Sequence, residues 1–333
     1  LEGLFDNILR IDEIWINELV TYQYLYQTLD DIVKLKRKHQ AFLKMLLHDC
    51  FCMCPAINLL DENGIYCKGA CEDKCNKCIP LNKSNACLEF ESGTIWRQKW
   101  CGFLQQCDEI RAFSDDTARL FRKVYPDVCH VRVIPHTPHY LLPLHKYAKS
   151  TKTFNIGLLG VLSYKKGLDI VKSMISYIEE NHMNIRIKLL GVVDEEIDSP
   201  IFSYTGRYTR EQLPKLTLQE DIDMFFIPSI WPETFSYTTS EIISMNMPLA
   251  VFDLGAPADR VKRYEKGVII TDTDAETIVS EMLSFAKNVL KCDSIPVQKK
   301  RILFVGEEIS FASRYRVEHF REQLSHYGYR SDF

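Results

Sequence analysis

The chain has 333 residues, 46% hydrophobic and 26% charged, with a formal net charge of −4. That is room for two domains of ordinary size in a folded, globular composition. No basic excess points to nucleic acid, and no apolar run approaches the ~20 residues that span a bilayer. No signal-peptide pattern opens the sequence, and the first residue is Leu1, so the chain reads as a fragment or a trimmed polypeptide. Of its twelve cysteines, eight lie from Cys50 to Cys87. In a chain this large, that clustering favours a metal site in a reducing compartment over a disulfide framework.

Taken in order, Ile11 to Leu19 alternates as a strand, Tyr24 to His39 carries Leu25, Leu29, Ile32 and Leu35 at helical spacing, and Ala41 to Leu47 is a second strand. This β-α-β unit delivers His48-Asp49 at a carboxyl strand end, where parallel sheets bind ligands. The cysteine-rich insertion follows, at about residues 50–87. It contains a CxxC pair, Cys75-Asn76-Lys77-Cys78, with Cys54, Cys67 and Cys71 upstream and Cys50, Cys52 and Cys87 flanking. Asp61-Glu62-Asn63-Gly64 is a turn signal that lets the ends of the segment meet. Four thiolates suit tetrahedral zinc, which would hold together a loop with little core of its own. Free thiols and an iron–sulfur cluster are the alternatives.

Trp96 to Cys107 reads as a helix and Glu109 to Ser114 as a strand. Asp115 to Tyr125 is a helix capped by Ser114 or Asp115 and stopped by Pro126. Val131 to Pro135 is a strand, and the prolines at 135, 138 and 143 mark a linker through His136 and His139. Only three or four strands precede this linker, with no glycine-rich loop, so the first domain reads as truncated at its start.

The second half alternates regularly. Phe154 to Val161, Ile185 to Gly191, Asp221 to Pro228, Pro248 to Phe252 and Gly267 to Thr271 read as buried strands. Leu168 to Glu180, Tyr237 to Met247 and Asp274 to Leu290 read as helices. Ser203 to Tyr208 is a short strand end, and Phe311 to Tyr327 a final helix. Such alternation makes a doubly wound parallel sheet. Within it, Phe226 to Glu241 forms a strand–loop–helix corner with Glu233 in the loop and Glu241 more than a turn along the helix. The start of that helix presents unpaired N–H groups and a positive dipole end to a ligand. The alternative is a capping box, Thr238-Thr239-Ser240-Glu241, in which Glu241 caps its own helix.

The spelling of this corner resembles the E-x7-E motif of retaining GT-B glycosyltransferases, specifically glycosyltransferase family 4 (group 1). The resemblance continues through Pro248 to Pro257 and takes in the loop from Gly160 to Lys166-Gly167. It implies an α/β, GT-B-like fold of two Rossmann-like doubly wound domains. These are a partial N-terminal domain at 1–140 with the cysteine-rich insertion, a nucleotide-sugar-binding domain at 141–308, and a helix at 309–333 crossing back to the first domain. It implies transfer of a sugar, with retention, from a nucleotide diphosphate-sugar donor to a glycan or lipid-linked acceptor of surface-polysaccharide type.

The resemblance also assigns roles. His48 faces the donor sugar, oriented by Asp49. Glu233 accepts from sugar hydroxyls and Glu241 from the ribose. Lys166 and the N–H groups of Phe235, Ser236 and Tyr237 bind the diphosphate. Ser236 stands where glycine is common. Val161 stands where arginine is usual, which leaves Arg207 or Lys165 to take that contact. Tyr208 stacks on the base or Arg207 reaches a phosphate. Gly255 admits a close backbone approach to a ligand, and Asp259 replaces the usual glutamate. Insertions in a subgroup of the family match Cys54, Cys67, Cys75 and Cys78, so these four are the expected zinc ligands, with Cys71 as a rival. No catalytic metal is expected. The expected setting is cytoplasmic, at the inner face of a membrane, with peripheral membrane association and further domains of a longer polypeptide as added partners. A non-catalytic nucleotide-sugar-binding or scaffolding module is the competing reading.

Overall fold

Parallel strands need crossover helices, and the first half of the chain supplies them in turn. β1 (Glu13–Ile16) leads through α1 (Leu25–His39) to β2 (Phe42–Leu46). After α2 (Glu72–Cys78) and α3 (Gly93–Leu104) come β3 (Glu109–Ala112), α4 (Asp115–Val124) and β4 (Val131–Val133). The four strands pair in parallel in the order β1-β2-β3-β4. This computed structural model describes residues 10–20, 22–69, 72–87, 89–138, 141, 143–144, 153–292, 301–303 and 330–332. α1 buries Leu25, Leu29, Ile32 and Leu35 on one face. Its last turn holds Lys36, Arg37, Lys38 and His39, where cations offset the negative dipole end.

The cysteine-rich segment differs from expectation. It is not a loop with little core of its own. Cys50, Phe51, Cys52, Met53, Ala56, Leu59 and Ile79 are all at most 3% exposed and belong to the same core as β2, β3 and α3. Phe51 packs edge-on against Trp96 and Trp100 of α3, at ring separations of 5.2 and 6.1 Å. Trp96 Nε1 and Tyr125 Oη both donate to the Cys52 carbonyl. The buried thiols of Cys50, Cys52 and Cys107 thus pack as small hydrophobes. α2, which carries Cys75 and Cys78, is a helix that the polar spelling of residues 72–78 does not announce. α3 starts earlier than expected, because Ser92 caps it by accepting from Ile95 N–H.

The second half comprises β5 (Phe154–Leu162), α5 (Leu168–Glu180), β6 (Ile185–Val193), β7 (Phe202–Tyr204), α6 (Leu213–Gln219) and β8 (Met224–Ile227). α7 (Tyr237–Ser244), β9 (Leu249–Phe252), α8 (Gly255–Val261), β10 (Gly267–Ile270) and α9 (Ala275–Cys292) follow. All six strands are parallel, in the order β10-β9-β8-β5-β6-β7. Side-chain alternation divides the core. Phe226 faces the layer of α5 and α9, while its neighbour Phe225 faces that of α6, α7 and α8. The chain winds one way from β5 to β7 and the other way from β8 to β10, so β5 and β8 flank a topological switch point.

β11 (Arg301–Leu303) and β12 (Arg330–Asp332) form a separate parallel pair. The expected helix from Phe311 to Tyr327 lies outside the described residues. Among the described residues no helix is long and apolar enough to cross a membrane.

One backbone feature bears on the corner after β8. Ser236, the N-cap of α7, has φ +66°, a left-handed conformation that costs a non-glycine residue about 1–3 kcal/mol. Its Oγ accepts from Thr239 N–H (3.4 Å) and Oγ1 (2.9 Å), which offsets part of that cost. We expect Ser236→Gly to match or exceed the parent in stability. Ser236→Ala keeps the strain and loses the cap, so it falls below the parent by about 1 kcal/mol. Urea midpoints of the three proteins test this ordering.

Candidate active site

A cavity of about 260 Å³ opens at the switch point, walled by Gly160, Ser163, Lys166, Pro228, Ser229 and Thr238. It lies outside the carboxyl ends of β5 and β8, where the topology alone directs a ligand. Glu233 is 5% exposed, and a carboxylate so deeply placed needs partners. It has two: Lys166 Nζ at 2.7 Å and Ser229 Oγ, which donates to its Oε1. Lys166 also lies 5.7 Å from the centre of the Trp231 ring. The structure therefore brings the expected sugar ligand and the expected phosphate ligand into one ion pair. Lys166 is not a solvated surface residue.

α7 begins at this cavity. A helix leaves its first N–H groups without in-helix partners. The Ser236 cap takes that of Thr239, and Thr238 lines the cavity. The capping-box alternative for Glu241 fails, because the cap is Ser236 rather than Thr238. Glu241, 9% exposed, instead faces Arg210 Nε at 3.3 Å. Burial raises its carboxyl above the usual range, and Arg210 pulls it back. Tyr208 lies beside it, its phenol pushed up to about 12 by burial and by Glu241. Arg207 is exposed, as is Val161.

Two expected roles change. Gly255 does admit a close approach, but by protein: a Cβ there would lie 2.6 Å from Glu233 N and 2.8 Å from Pro232 Cα. Ala256 N–H then donates to Glu233 O at 2.8 Å, holding the glutamate loop against α8. Asp49 does not orient His48. Its Oδ1 accepts from Phe51 N–H at 2.8 Å, turning the chain into the insertion.

The first half meets the start of α7 through an aromatic cluster. His48, Phe113 and His136 stack, with centroids 4.6 Å (His48–Phe113), 5.4 Å (His48–His136) and 3.9 Å (Phe113–His136) apart. His136 also meets Phe235 edge-on at 4.8 Å and Tyr237 at 5.6 Å. Polar bonds tie the two halves. Thr234 Oγ1 donates to the His48 carbonyl at 2.6 Å. Asp259 accepts from Asp116 N–H (2.6 Å) and Arg119 (3.0 Å), and Arg263 pairs with Asp115 at 2.9 Å. Asp259 thus serves the contact between α4 and α8 rather than the cavity.

Sequence reasoning missed Arg260. Its guanidinium lies 3.8 Å over the Phe235 ring and donates to Ser236 O at 3.0 Å and to Ser240 Oγ. Burial pushes it down to about 10 despite Glu233 and Asp259 nearby. Nothing in the spelling separates it from Lys262 and Arg263. Ser229 and Thr234 were readable only as neighbours of Glu233.

In the insertion, the Cys54 thiol is pushed up to about 12, first by burial and then by Cys67, Cys75 and Cys78 around it. Asn82 Nδ2 lies 3.6 Å from Cys78 Sγ. Among the described residues no three His, Cys, Asp or Glu side chains form a group that could hold a metal ion. Cys71 lies outside the described residues.

Partial burial lowers the pKa of both His48 and His136 from 6.5, and His48, Arg260 and Arg111 lower His136 further. The neutral rings therefore contribute stability that is full above pH 6.5 and lost as pH falls through the lowered values. We expect His136→Phe to lose less stability than the parent between pH 6.5 and 5. Parallel slopes of denaturation midpoint against pH would refute the assignment.

Residues 144–301 match the family described as glycosyl transferases group 1. No curated protein sequence matches the chain. Among solved structures, HepE (Alr3699) of Anabaena, in complex with UDP and glucose, superposes with a TM-score of 0.53. It is 14% identical over 85% of this chain and 73% of its own. TarM of S. aureus gives 0.55 at 12% identity over 81% of this chain and 48% of its own. Sucrose-phosphate synthase of Thermosynechococcus elongatus gives 0.54 at 12% over 82% and 74%. At these identities the likeness is one of fold. The segment from 144 to 301, which carries the cavity, Lys166 and both glutamates, is thus similar to the group 1 glycosyl transferases, and the chain shares its fold with these structures.

Proposed function

We propose that this chain transfers a sugar from a nucleoside diphosphate-sugar donor, with retention at the anomeric carbon, to a glycan or lipid-linked glycan of surface-polysaccharide type. The observation that carries the reading is a cavity at the switch point lined by Lys166, Ser229 and Thr238 of α7, with Glu233 paired to the first two. HepE, of the same fold, holds UDP and glucose, so UDP-sugars are the first donors to try.

Breaking the glycosidic C–O bond puts charge on the departing diphosphate. Fixed N–H dipoles of residues 235–237 and the lysine cation stabilise that charge without reorganising. In the resting pair Lys166 faces Glu233. On donor binding the lysine turns to the phosphates and Glu233 accepts from sugar hydroxyls. Glu241, beside Arg210, accepts from the ribose. Tyr208 or Arg207 meets the base or a phosphate, and Gly160 leaves room for the diphosphate. His48, a neutral ring in the aromatic cluster, packs on the sugar. None of these steps calls for a catalytic metal. A thiol-rich insertion suits a reducing compartment, and we place the reaction in the cytoplasm, at the inner face of a membrane.

The insertion is read as a structural zinc site of Cys54, Cys67, Cys75 and Cys78. The donor set is soft and four in number, as structural zinc requires. Zinc would draw them closer and bind them as thiolates.

Glu233→Ala is expected to abolish transfer. Lys166→Ala is expected to weaken UDP binding by about 1.5–3 kcal/mol, the worth of a charged hydrogen bond. Equal affinity by calorimetry would remove Lys166 from the site. Val161, 53% exposed where the resemblance places arginine, favours a binding module as the second reading. UDP binding with neither donor hydrolysis nor transfer would select it. Metal analysis should find about one zinc per chain, lost in Cys54→Ser; iron, or no metal, would overturn the zinc assignment.

A further inference from the structure

The tip of the cysteine-rich insertion meets the other half of the molecule at Gly64. A side chain on Gly64 would collide with Tyr164 Oη and lie 2.8 Å from Tyr164 Cζ, so the phenol rests on the bare backbone of the insertion's tip. Gly64 has φ +77°, which also favours glycine there.

Both sides of this contact are stiff. Asp61 Oδ1 accepts from Asn63 N–H and Ile65 N–H, each at 3.0 Å. Asp61 N–H donates to Ile65 O at 2.8 Å, and Gly64 N–H to Asp61 O at 2.9 Å. The arm behind the tip is anchored on α4. Lys123 Nζ donates to Lys68 O at 2.7 Å, and a side chain on Gly69 would meet Leu120 and Val124, both at 3.3 Å. Across the cleft, Tyr164 opens the single helical turn Tyr164–Lys166. Lys166 N–H donates to Ser163 O (2.9 Å), Gly167 N–H to Tyr164 O (3.0 Å) and Ile230 N–H to Lys165 O (3.2 Å). Tyr164 and Lys166 thus belong to one hydrogen-bonded turn.

We infer that Tyr164 is a positioning residue: clasped by the Gly64 tip, it fixes the turn that aims Lys166 at Glu233, and so makes the cation's placement depend on the folded insertion. The inference rests on the reading of that cavity as the diphosphate site. Tyr164 is 46% exposed, so its removal leaves the core intact.

The experiment is a double-mutant cycle in the full chain, with two readouts. The first is hydrogen exchange without ligand. Tyr164→Ala is expected to raise exchange at the amides of residues 64–65 and 166–167 together, and Tyr164→Phe, which keeps the ring, to restore protection. The second is UDP affinity. Tyr164→Ala and Gly64→Ala are each expected to raise Kd about tenfold, and the double variant no further, because both break one contact. Tyr164→Phe should bind UDP within about twofold of the parent. Exchange unchanged at both sites, or Kd effects that multiply in the double variant, would overturn the clasp. If the parent binds no UDP while the exchange result holds, the donor reading fails and the clasp stands.

Discussion

A carboxylate removed from water must be satisfied by the protein around it, and that requirement at Glu233 organises the cleft. Lys166 meets it from the loop after β5 and Ser229 from the end of β8. Those two strands are neighbours only because the sheet reverses its winding between them. Glu233 in turn holds α8 through its carbonyl and the bare backbone at Gly255. Its neighbour Thr234 reaches His48 across the cleft. One acid thus fixes the loop after β5, its own loop and the approach of the two halves.

The same economy explains why the insertion and the second half meet where they do. α4 supports the insertion's arm on one side and docks on α8 on the other. Its first-turn Asp116 offers an N–H to Asp259, an anion at a helix N-terminus, where the dipole favours it. The cleft is consequently bracketed by a charged contact at α4 and α8 and by a packing contact at Gly64 and Tyr164.

Much of the architecture was legible in the spelling, because its signals are local. Helix periodicity gave α1 and α5 to within a residue, and the apolar runs gave β5, β8 and β9. The proline at 126 and the Ser114 cap gave the ends of α4. That Glu233 and Glu241 flank a strand–loop–helix corner was legible in their spacing; that Lys166 pairs with Glu233 was not, since the two are 67 positions apart. What was not legible depended on distant partners. The start of α7 at Tyr237 was legible, but the positive φ of its Ser236 cap was not, because no pattern states it. Asp49 turned to Phe51 N–H, and Gly255 made room for Pro232 and Glu233, because backbone elsewhere in the fold claimed both features. Arg260 depends on a ring and a carbonyl some twenty residues earlier. The insertion's burial was hidden because cysteine spells both a metal ligand and a small apolar residue.

The reversal of the sheet also bears on synthesis. As the chain emerges, β5, β6 and β7 are complete before β8 exists, so the strand that ends in the middle of the sheet begins life as its rim. Until β8 arrives, β5 offers a row of unpaired backbone groups to any other extended chain. The cavity cannot form in that interval, since half of its wall is still to be made. Nascent molecules thus expose to mispairing an edge that the finished sheet covers with β8.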